Sequence, residues 1–564
     1  MNLRQQIIQE RTEEIAQIFN LNKSDSFLRL THSLIVGQSI HSFDPNDIVD
    51  GGQDKQIDVI SFEEDGDQAT VYITQAKNEF SFSSNTLIQM HNGLNWIFTK
   101  PRSNLNQLGN NAFRDKILEY RSLLSGIGPS NIRIIVTFVT LGLTSELSDE
   151  FKQEVKAIND EYDNDTFAEF KLEIYGADEL VGVINAQERQ NRRIDDSIKI
   201  KYDANNPSLI KYYSQDLKGI VCSAPASEIA RLVNNDPDGS IFDLNIRRFL
   251  GTNVAVNKDI YRTCSSTEFS YQFWFLNNGI TILCDDLDPV TDPDNPHIKL
   301  KNMQIVNGCQ TATTLALAQR ENKLPPDVRV LLRVYETNNP DLVNKVVLTT
   351  NNQNKISGRD LRANDPVQID MEKAFSFYSY YYERKPRQFT DVDVDALRII
   401  TNELVAQAYL AIIMKTPSDA RRRKYKVWGE LYNKIFSGQA VQPYIIAVLI
   451  TRYTSNWLRD EGYTNDENDI TRRIAKNAVF HIARITAFLW RGHDNWRIDQ
   501  SILDEQLSIL ERDITLLHPH LEKALTIIMN LIINDNDYYF LDLDTILKSY
   551  LLDEDITRRL HVSQ

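Results

Sequence analysis

Cysteine is scarce in this chain. Four occur among 564 residues, Cys222, Cys264, Cys284 and Cys309, and no two share a Cys-x-x-Cys spacing. That argues against a disulfide framework and a cysteine-based zinc site, and fits buried thiols in a reducing compartment. Long apolar runs are missing too: none reaches the ~18 residues that read as a membrane span. The opening helix, MNLRQQIIQERTEEIAQIF, is charged and amphipathic and lacks the apolar stretch of a signal peptide, so a cytoplasmic protein with no membrane attachment is expected. No segment is of low complexity and no repeat recurs. GxxxxGK[ST] and GxGxxG are both absent, which removes the P-loop and the dinucleotide fingerprint. Positive charge is in deficit, with 62 Lys and Arg against 78 Asp and Glu and a net charge of −16. Indiscriminate coating of DNA is excluded, and a nucleic-acid surface would have to be a local basic patch on an acidic body, aided by bound metal.

What is present is an ordinary globular composition, 42% hydrophobic and 25% charged, long enough for roughly two to four domains. Residues 1–40 read as two helices. A strand–turn–strand unit follows to Lys77, then helices over 84–125. Asn131–Leu141 (NIRIIVTFVTL) is a β-branched run of the kind found in buried parallel strands. A helix, a strand near Phe170–Tyr175 and a further helix continue this α/β order to about residue 190. A charged linker leads into mixed α+β sequence up to about residue 400. From there to the end, apolar residues recur at helical spacing. The expected fold is a multidomain α/β plus α+β chain in three parts: 1–190, 191–400 and 401–564, the last all-helical.

The chemistry concentrates in Gly51–Lys77, GGQDKQIDVISFEEDGDQATVYITQAK. Two strands flank the turn Glu64-Asp65-Gly66-Asp67, and strand alternation puts Val71, Ile73, Gln75 and Lys77 on one face. A turn near Gly66 sets Asp58 opposite Ile73 to Gln75. A carboxylate, an amide oxygen and an ammonium then meet on neighbouring strands. Hard divalent cations take oxygen ligands, and phosphodiester hydrolysis needs such a cation, a placed water and a positive charge near the phosphoryl oxygens. The plainer alternative is a half-buried hairpin with polar residues on its wet face. The segment resembles the PD-(D/E)xK nuclease superfamily in its Mrr-like variant, which carries Gln before x-Lys. The resemblance implies a restriction-endonuclease-like sheet domain with Asp58, Gln75 and Lys77 as catalytic residues. Asp58 and Gln75 would hold Mg²⁺ or Mn²⁺. Asp50 and Asp54 are accessory candidates, as is Asp25 on the helix read at about Ser24–Gln38, where it can equally serve the helix start.

Three pieces of the central part form a second group: FWFLNNGITILCDD with Asn278 and Gly279, IVNGCQTATTLALA with Asn307, Gly308 and Gln310, and VRVLLRVYETNNPDLVNKVVLTTNNQNKISGRDLRANDP. Strand, tight turn and helix in succession make an anion cradle of exposed N–H groups, in which Gln310 and Thr311, Thr313 and Thr314 could bond a nucleotide or a DNA backbone. The alternative is tight turns that need positive φ. With YYERKPRQF after them, these pieces resemble the abortive-infection phage-resistance (AIPR) family over roughly residues 235–430. That resemblance implies a bacterial protein of antiphage defence, whose relatives commonly carry a PD-(D/E)xK-like domain at the N-terminus.

Two basic runs are candidates for the local patch: FSFYSYYYERKPRQF with Arg384, Lys385 and Arg387, and ARRRKYKVW with Arg421, Arg422, Arg423 and Lys424. The competing reading packs the tyrosines inside and leaves the arginines on a solvated face. His518-Pro519-His520 has poor spacing for a metal ligand pair between helices. The function expected is a Mg²⁺- or Mn²⁺-dependent DNA endonuclease of antiphage defence, a homodimer gated by its other domains or by a defence-system partner protein. The alternatives are a catalytically inactive nuclease fold that senses DNA or a nucleotide, and a scaffold in a defence complex.

Overall fold

The structure is a computed structural model. It describes every residue except 53, 164–165, 204–207, 215–216, 247–248, 250, 253, 352–357, 390–391, 423, 464–468, 535–541 and 563–564. The chain divides into two compact units, Met1–Asn191 and Arg192–Gln564.

The first unit is a four-stranded sheet with helices on both faces. Its elements are α1 (Leu3–Phe19), α2 (Lys23–Val36), β1 (Val59–Asp65), β2 (Gln68–Lys77), α3 (Ser84–Phe98), α4 (Asn111–Ile127), β3 (Ile132–Thr140), α5 (Asp149–Tyr162), β4 (Glu169–Tyr175) and α6 (Ala177–Asn191). The strands lie in the order β1-β2-β3-β4. β1 and β2 form an antiparallel hairpin about Gly66, which has φ 63°. β2, β3 and β4 run parallel, as helical crossovers require. Ile73, Val71, Val136 and Phe138 point from the strands into a core with Leu87, Met90 and Leu94 of α3, Ile117 of α4 and Phe151 of α5. The alternate residues of β2 meet α2 on the other face: His32 lies between Thr74 (2.9 Å from Nδ1) and Ser61 (3.0 Å from Nε2), and Leu28 packs with Val59 and Ala76.

The second unit joins two sheets to a helical body. A three-stranded antiparallel sheet has the order β5 (Asp196–Lys199), β10 (His297–Lys301), β9 (Asp286–Val290). A five-stranded sheet has the order β11 (Gln304–Asn307), β8 (Ile280–Cys284), β12 (Arg329–Glu336), β7 (Leu217–Pro225), β6 (Leu209–Ser214), with β12 parallel to β8. Helices α7 (Ala226–Asn234), α8 (Ala255–Ser265) and α10 (Cys309–Arg320) contribute Ile229, Cys264 and Leu315 to the core beneath the sheet, and the single turn α9 (Phe273–Leu276) contributes Phe273. Helix α11 (Pro340–Asn351) packs on β11. A short parallel pair, Tyr381–Glu383 with Ile399–Thr401, ends the β structure. Beyond Thr401 the described elements are helices, which bury Leu458, Ile482, Ile528 and Ile556 together. Among the described residues no helix is long and apolar enough to cross a membrane.

Candidate functional site

The hairpin register places Val59 opposite Thr74, so Asp58, one residue before β1, faces Gln75. Its backbone is held on both sides: Asp58 N–H donates to Thr74 O at 2.9 Å, and Val49 N–H donates to Asp58 O at 2.8 Å. That second bond extends an isolated bridge between Ile48 and Val59 and brings Asp50 alongside Asp58. The side chain of Asn110, at the start of α4, ties down Val49 O at 2.8 Å. Between Asp50 and Asp58 the chain wraps around Asp54, whose carboxylate accepts from Gly51 N–H at 3.1 Å and Gln56 N–H at 2.8 Å. Lys55 and Gln56 both adopt left-handed φ, 62° and 60°, a conformation that such residues seldom take without surrounding constraint. Helix α3 supplies it. A Cβ on Gly93 would stand 2.8 Å from Ile57 Cδ1 and 2.9 Å from Lys55 O, so only glycine lets the helix close on this loop.

The result is a cluster of Asp50, Asp54 and Asp58 whose ligand oxygens all lie within 4.8 Å of one another. Asp58 Oδ2 accepts two bonds, from Gln75 Nε2 at 2.7 Å and from Ala76 N–H at 2.8 Å. The Gln75 amide is thereby oriented, and its Oε1 is left buried with no hydrogen-bond partner. A buried acceptor of this kind is costly unless something fills it. Burial pushes the Asp58 carboxyl up to about 7, against the opposing pull of the Ala76 N–H and the Lys77 ammonium. Asp50 is raised as well, first by burial and then by its contact with Asp54. Three crowded carboxylates, an unfilled amide oxygen and a nearby ammonium suit a hard divalent cation with oxygen ligands.

The structure brings Asp50, Asp54, Asp58, Gln75 and Lys77 together and leaves Asp25 outside that cluster. Asp25 sits in the first turn of α2, where its N–H and carboxylate both bond the Asn22 side chain. His32 is near in sequence space and buried, but burial lowers it to about 4 and its ring lies on the Thr74 face of β2, so it braces α2 and is no base for this site. No pattern in the sequence marked His32, or the pairing of Ile48–Val49 with Asp58–Val59. The one available cue was an apolar pair ahead of Gly51-Gly52.

The basic runs have other duties. Arg384 bonds Glu372 and the Ala363 carbonyl. Lys385 is 3% exposed and donates to Asp243 O at 2.7 Å. The tyrosines before them are similarly occupied: Tyr378 on Asp504, Tyr380 on Glu511 and Tyr382 on Gln368. Arg387 follows in the left-handed region with φ 61°. Arg421 bonds the carbonyl of Asn477 and the carboxylate of Asp544. Arg384, Lys385 and Arg421 are thus held by the second unit's own groups, while Arg387 is exposed. Arg422 and Lys424 belong to helices whose side chains there are not described, and Arg423 lies outside the described residues. His518 accepts from Trp457 Nε1 at 2.9 Å.

The glycine turns of the central part are closely packed. Gly279 (φ 78°) and Gly308 (φ 95°) face each other, and a Cβ on Gly308 would meet Gly279 O at 3.0 Å. Asn278 O accepts from Arg333 at 3.0 Å, the Asn307 side chain caps Thr350 O, and Gln310 Oε1 accepts from Asn257 at 2.9 Å. The start of α10 is therefore packed against β8.

A mixed α/β unit bearing three clustered carboxylates beside a buried amide, followed by a β-and-helix unit built on interlocked glycine turns, is the class of protein these features define. The model of the AIPR protein family matches residues 242–549, more than half of the chain, and the chain belongs to that family. Membership suggests a role in abortive infection and antiphage defence. Comparison with curated proteins and with solved structures returns no match.

Proposed function

We propose that the chain is a Mg²⁺- or Mn²⁺-dependent nuclease, acting on DNA in antiphage defence, with its centre at Asp58, Gln75 and Lys77. The observation that carries this reading is the buried, unpartnered Gln75 Oε1 beside three clustered carboxylates. Asp58, Gln75 Oε1 and the carboxylates of Asp50 and Asp54 are the groups that would hold the cation. The bound ion supplies Lewis acidity toward a phosphodiester and lowers the pKa of water. Asp58 enters the ligand set as a carboxylate, and the Gln75 amide N–H and Ala76 N–H fix its direction. Lys77, half-buried on the same face of β2, places a positive charge for the phosphoryl oxygens. On a chain of net charge −16 the cation also offsets the repulsion that DNA would otherwise meet.

Asp25 lies outside the cluster, and this favours one other reading: a nuclease fold that binds nucleic acid without cutting it. The two separate in one assay of plasmid and linear DNA with Mg²⁺, Mn²⁺ or EDTA. A cutting enzyme is metal-dependent, and Lys77→Ala lowers its rate by about 10²–10³ while leaving metal binding intact. Cutting that survives Lys77→Ala removes the assignment. Metal binding at Asp58 without cutting, in either protein, selects the binding module.

A further inference from the structure

The second unit holds a cavity that the cation site does not involve. It lies between α8 and α10, has a volume of about 410 Å³, and is lined by Asn257, Lys258, Tyr261, Thr314, Leu317 and Glu321. Phe249 adds a second aromatic ring to the wall. The volume falls in the ~300–1,000 Å³ range of small-molecule sites.

Asn257 gives the cavity its directionality. The residue is 2% exposed. Its Nδ2 donates to two acceptors, Gly251 O at 2.7 Å and Gln310 Oε1 at 2.9 Å. Since the Gly251 carbonyl can only accept, the amide cannot be turned over, and Oδ1 is the atom left buried and unpartnered. Asn257 lines the cavity, and its buried, unmet acceptor calls for an N–H or O–H donor. Gln310 and Thr314 belong to the IVNGCQTATTLALA segment, and Thr314 Oγ1 bonds Gln310 O at 2.7 Å. That segment therefore serves the cavity by orienting Asn257.

The charges complete the description. Lys258 is exposed, and among the described residues it has no carboxylate partner. It stands in the second turn of α8, a helix that starts without a side-chain cap, where the helix dipole also favours an anion. The one acidic group on the wall, Glu321, is bonded to the Tyr261 hydroxyl and to Lys323 at 3.1 Å, and these bonds hold its carboxyl below the usual range. The cavity thus joins a directed acceptor, two aromatic rings and a free ammonium.

We infer that this cavity binds a free nucleotide, with an amino or imino N–H of the base on Asn257 Oδ1, the base against Tyr261 and Phe249, and the phosphate at Lys258. Stacking and cation–phosphate contact are the sequence-tolerant parts of nucleotide recognition, and the base-edge bond is the selective one. The inference is independent of the nuclease reading.

The test is calorimetric titration of the full chain in EDTA with ATP, GTP, adenosine, inorganic phosphate and a short 5′-phosphorylated oligonucleotide. ATP or GTP should bind at least about tenfold more tightly than adenosine or phosphate, as expected when both ends of the ligand are engaged. Lys258→Glu, an exposed change, and Leu317→Trp, which fills the space, should each weaken binding by about tenfold or more with an unchanged melting temperature for Lys258→Glu. Asp58→Ala should bind as the natural chain does, which keeps this site apart from the N-terminal one. Binding of the oligonucleotide alone would overturn the proposal in favour of a strand end. So would binding that Lys258→Glu leaves untouched, or no binding of ATP and GTP at millimolar concentration.

Discussion

Replacing Asp58 by Asn should stabilise the metal-free protein while abolishing the proposed binding of a cation. Oδ2 alone accepts the bonds from Gln75 Nε2 and Ala76 N–H, and an Asn amide oxygen can take both. The new NH₂ then replaces the second carboxylate oxygen and becomes a donor beside Asp50 and Asp54. Burial raises the Asp58 carboxyl from 3.8 to about 7. Because the folded value lies above the unfolded one, the native state holds the proton longer. Stability is therefore full below about pH 4, falls as pH climbs to about 7, and is level above that. At ~1.4 kcal/mol per unit, the ionised carboxylate costs the apo protein about 4 kcal/mol at pH 8 and roughly a third of that at pH 5. The assay is thermal unfolding of the full chain in EDTA at these two pH values. At ~2–4 °C per kcal/mol, the variant's N-terminal transition should lie about 10 °C higher at pH 8, with a gap of a few degrees at pH 5. The difference between the two proteins is the relevant quantity, since Asp553 in the second unit is also pushed up to about 7 by burial. A variant less stable than the natural chain at pH 8, or a gap that does not grow with pH, would refute the reasoning.

Other outcomes follow from the same geometry. Mn²⁺ affinity, measured by calorimetry, should weaken by roughly tenfold for each pH unit below about 7 and level off above it, since Asp58 must shed its proton to bind. Gly93→Ala should lower the melting temperature of the first unit by the equivalent of ~1–3 kcal/mol and weaken Mn²⁺ binding with it, because the new Cβ presses on Ile57 and Lys55 O; unchanged metal affinity would show that the loop does not depend on α3. Gly279→Ala should abolish soluble expression or cost ~3 kcal/mol or more, as its Cβ would stand 2.5 Å from Leu331 O at a φ of 78°.

The sequence made the hairpin legible because strand alternation and the Gly66 turn are local properties, and from them the facing of Asp58 and Gln75 follows. The parallel strand Ile132–Thr140 was legible for a similar reason: a β-branched run with no polar alternation has to be covered on both faces. The orientation of the Gln75 amide was not, since it is set by Asp58 across the ladder. Nor was the arrival of Asp50, which depends on a two-residue bridge too short to leave a period. The partners of the charge runs were not legible either. Arg384 and Lys385 find Glu372 and the Asp243 carbonyl, the latter far away along the chain, and nothing in a basic run reports whether its partner is a phosphate or the protein's own interior. Asn257 carried no signal at all until Gln310 and Gly251 were seen to fix it.

The contact between the Gly279 and Gly308 turns has a practical corollary. It pins the two ends of the chain segment that runs out through β9 and back through β10, and the bond from Asp285 N–H to Lys301 O closes the stem of that excursion. The hairpin tip at Asp292–Asn295 is turned outward and exposed. Its length is then decoupled from the packing of the unit, and extra residues there cost little more than the slow logarithmic price of a longer loop. This tip is the natural place to graft an epitope or a fluorophore tag, a handle by which the protein can be followed in a cell without disturbing the packing of its unit.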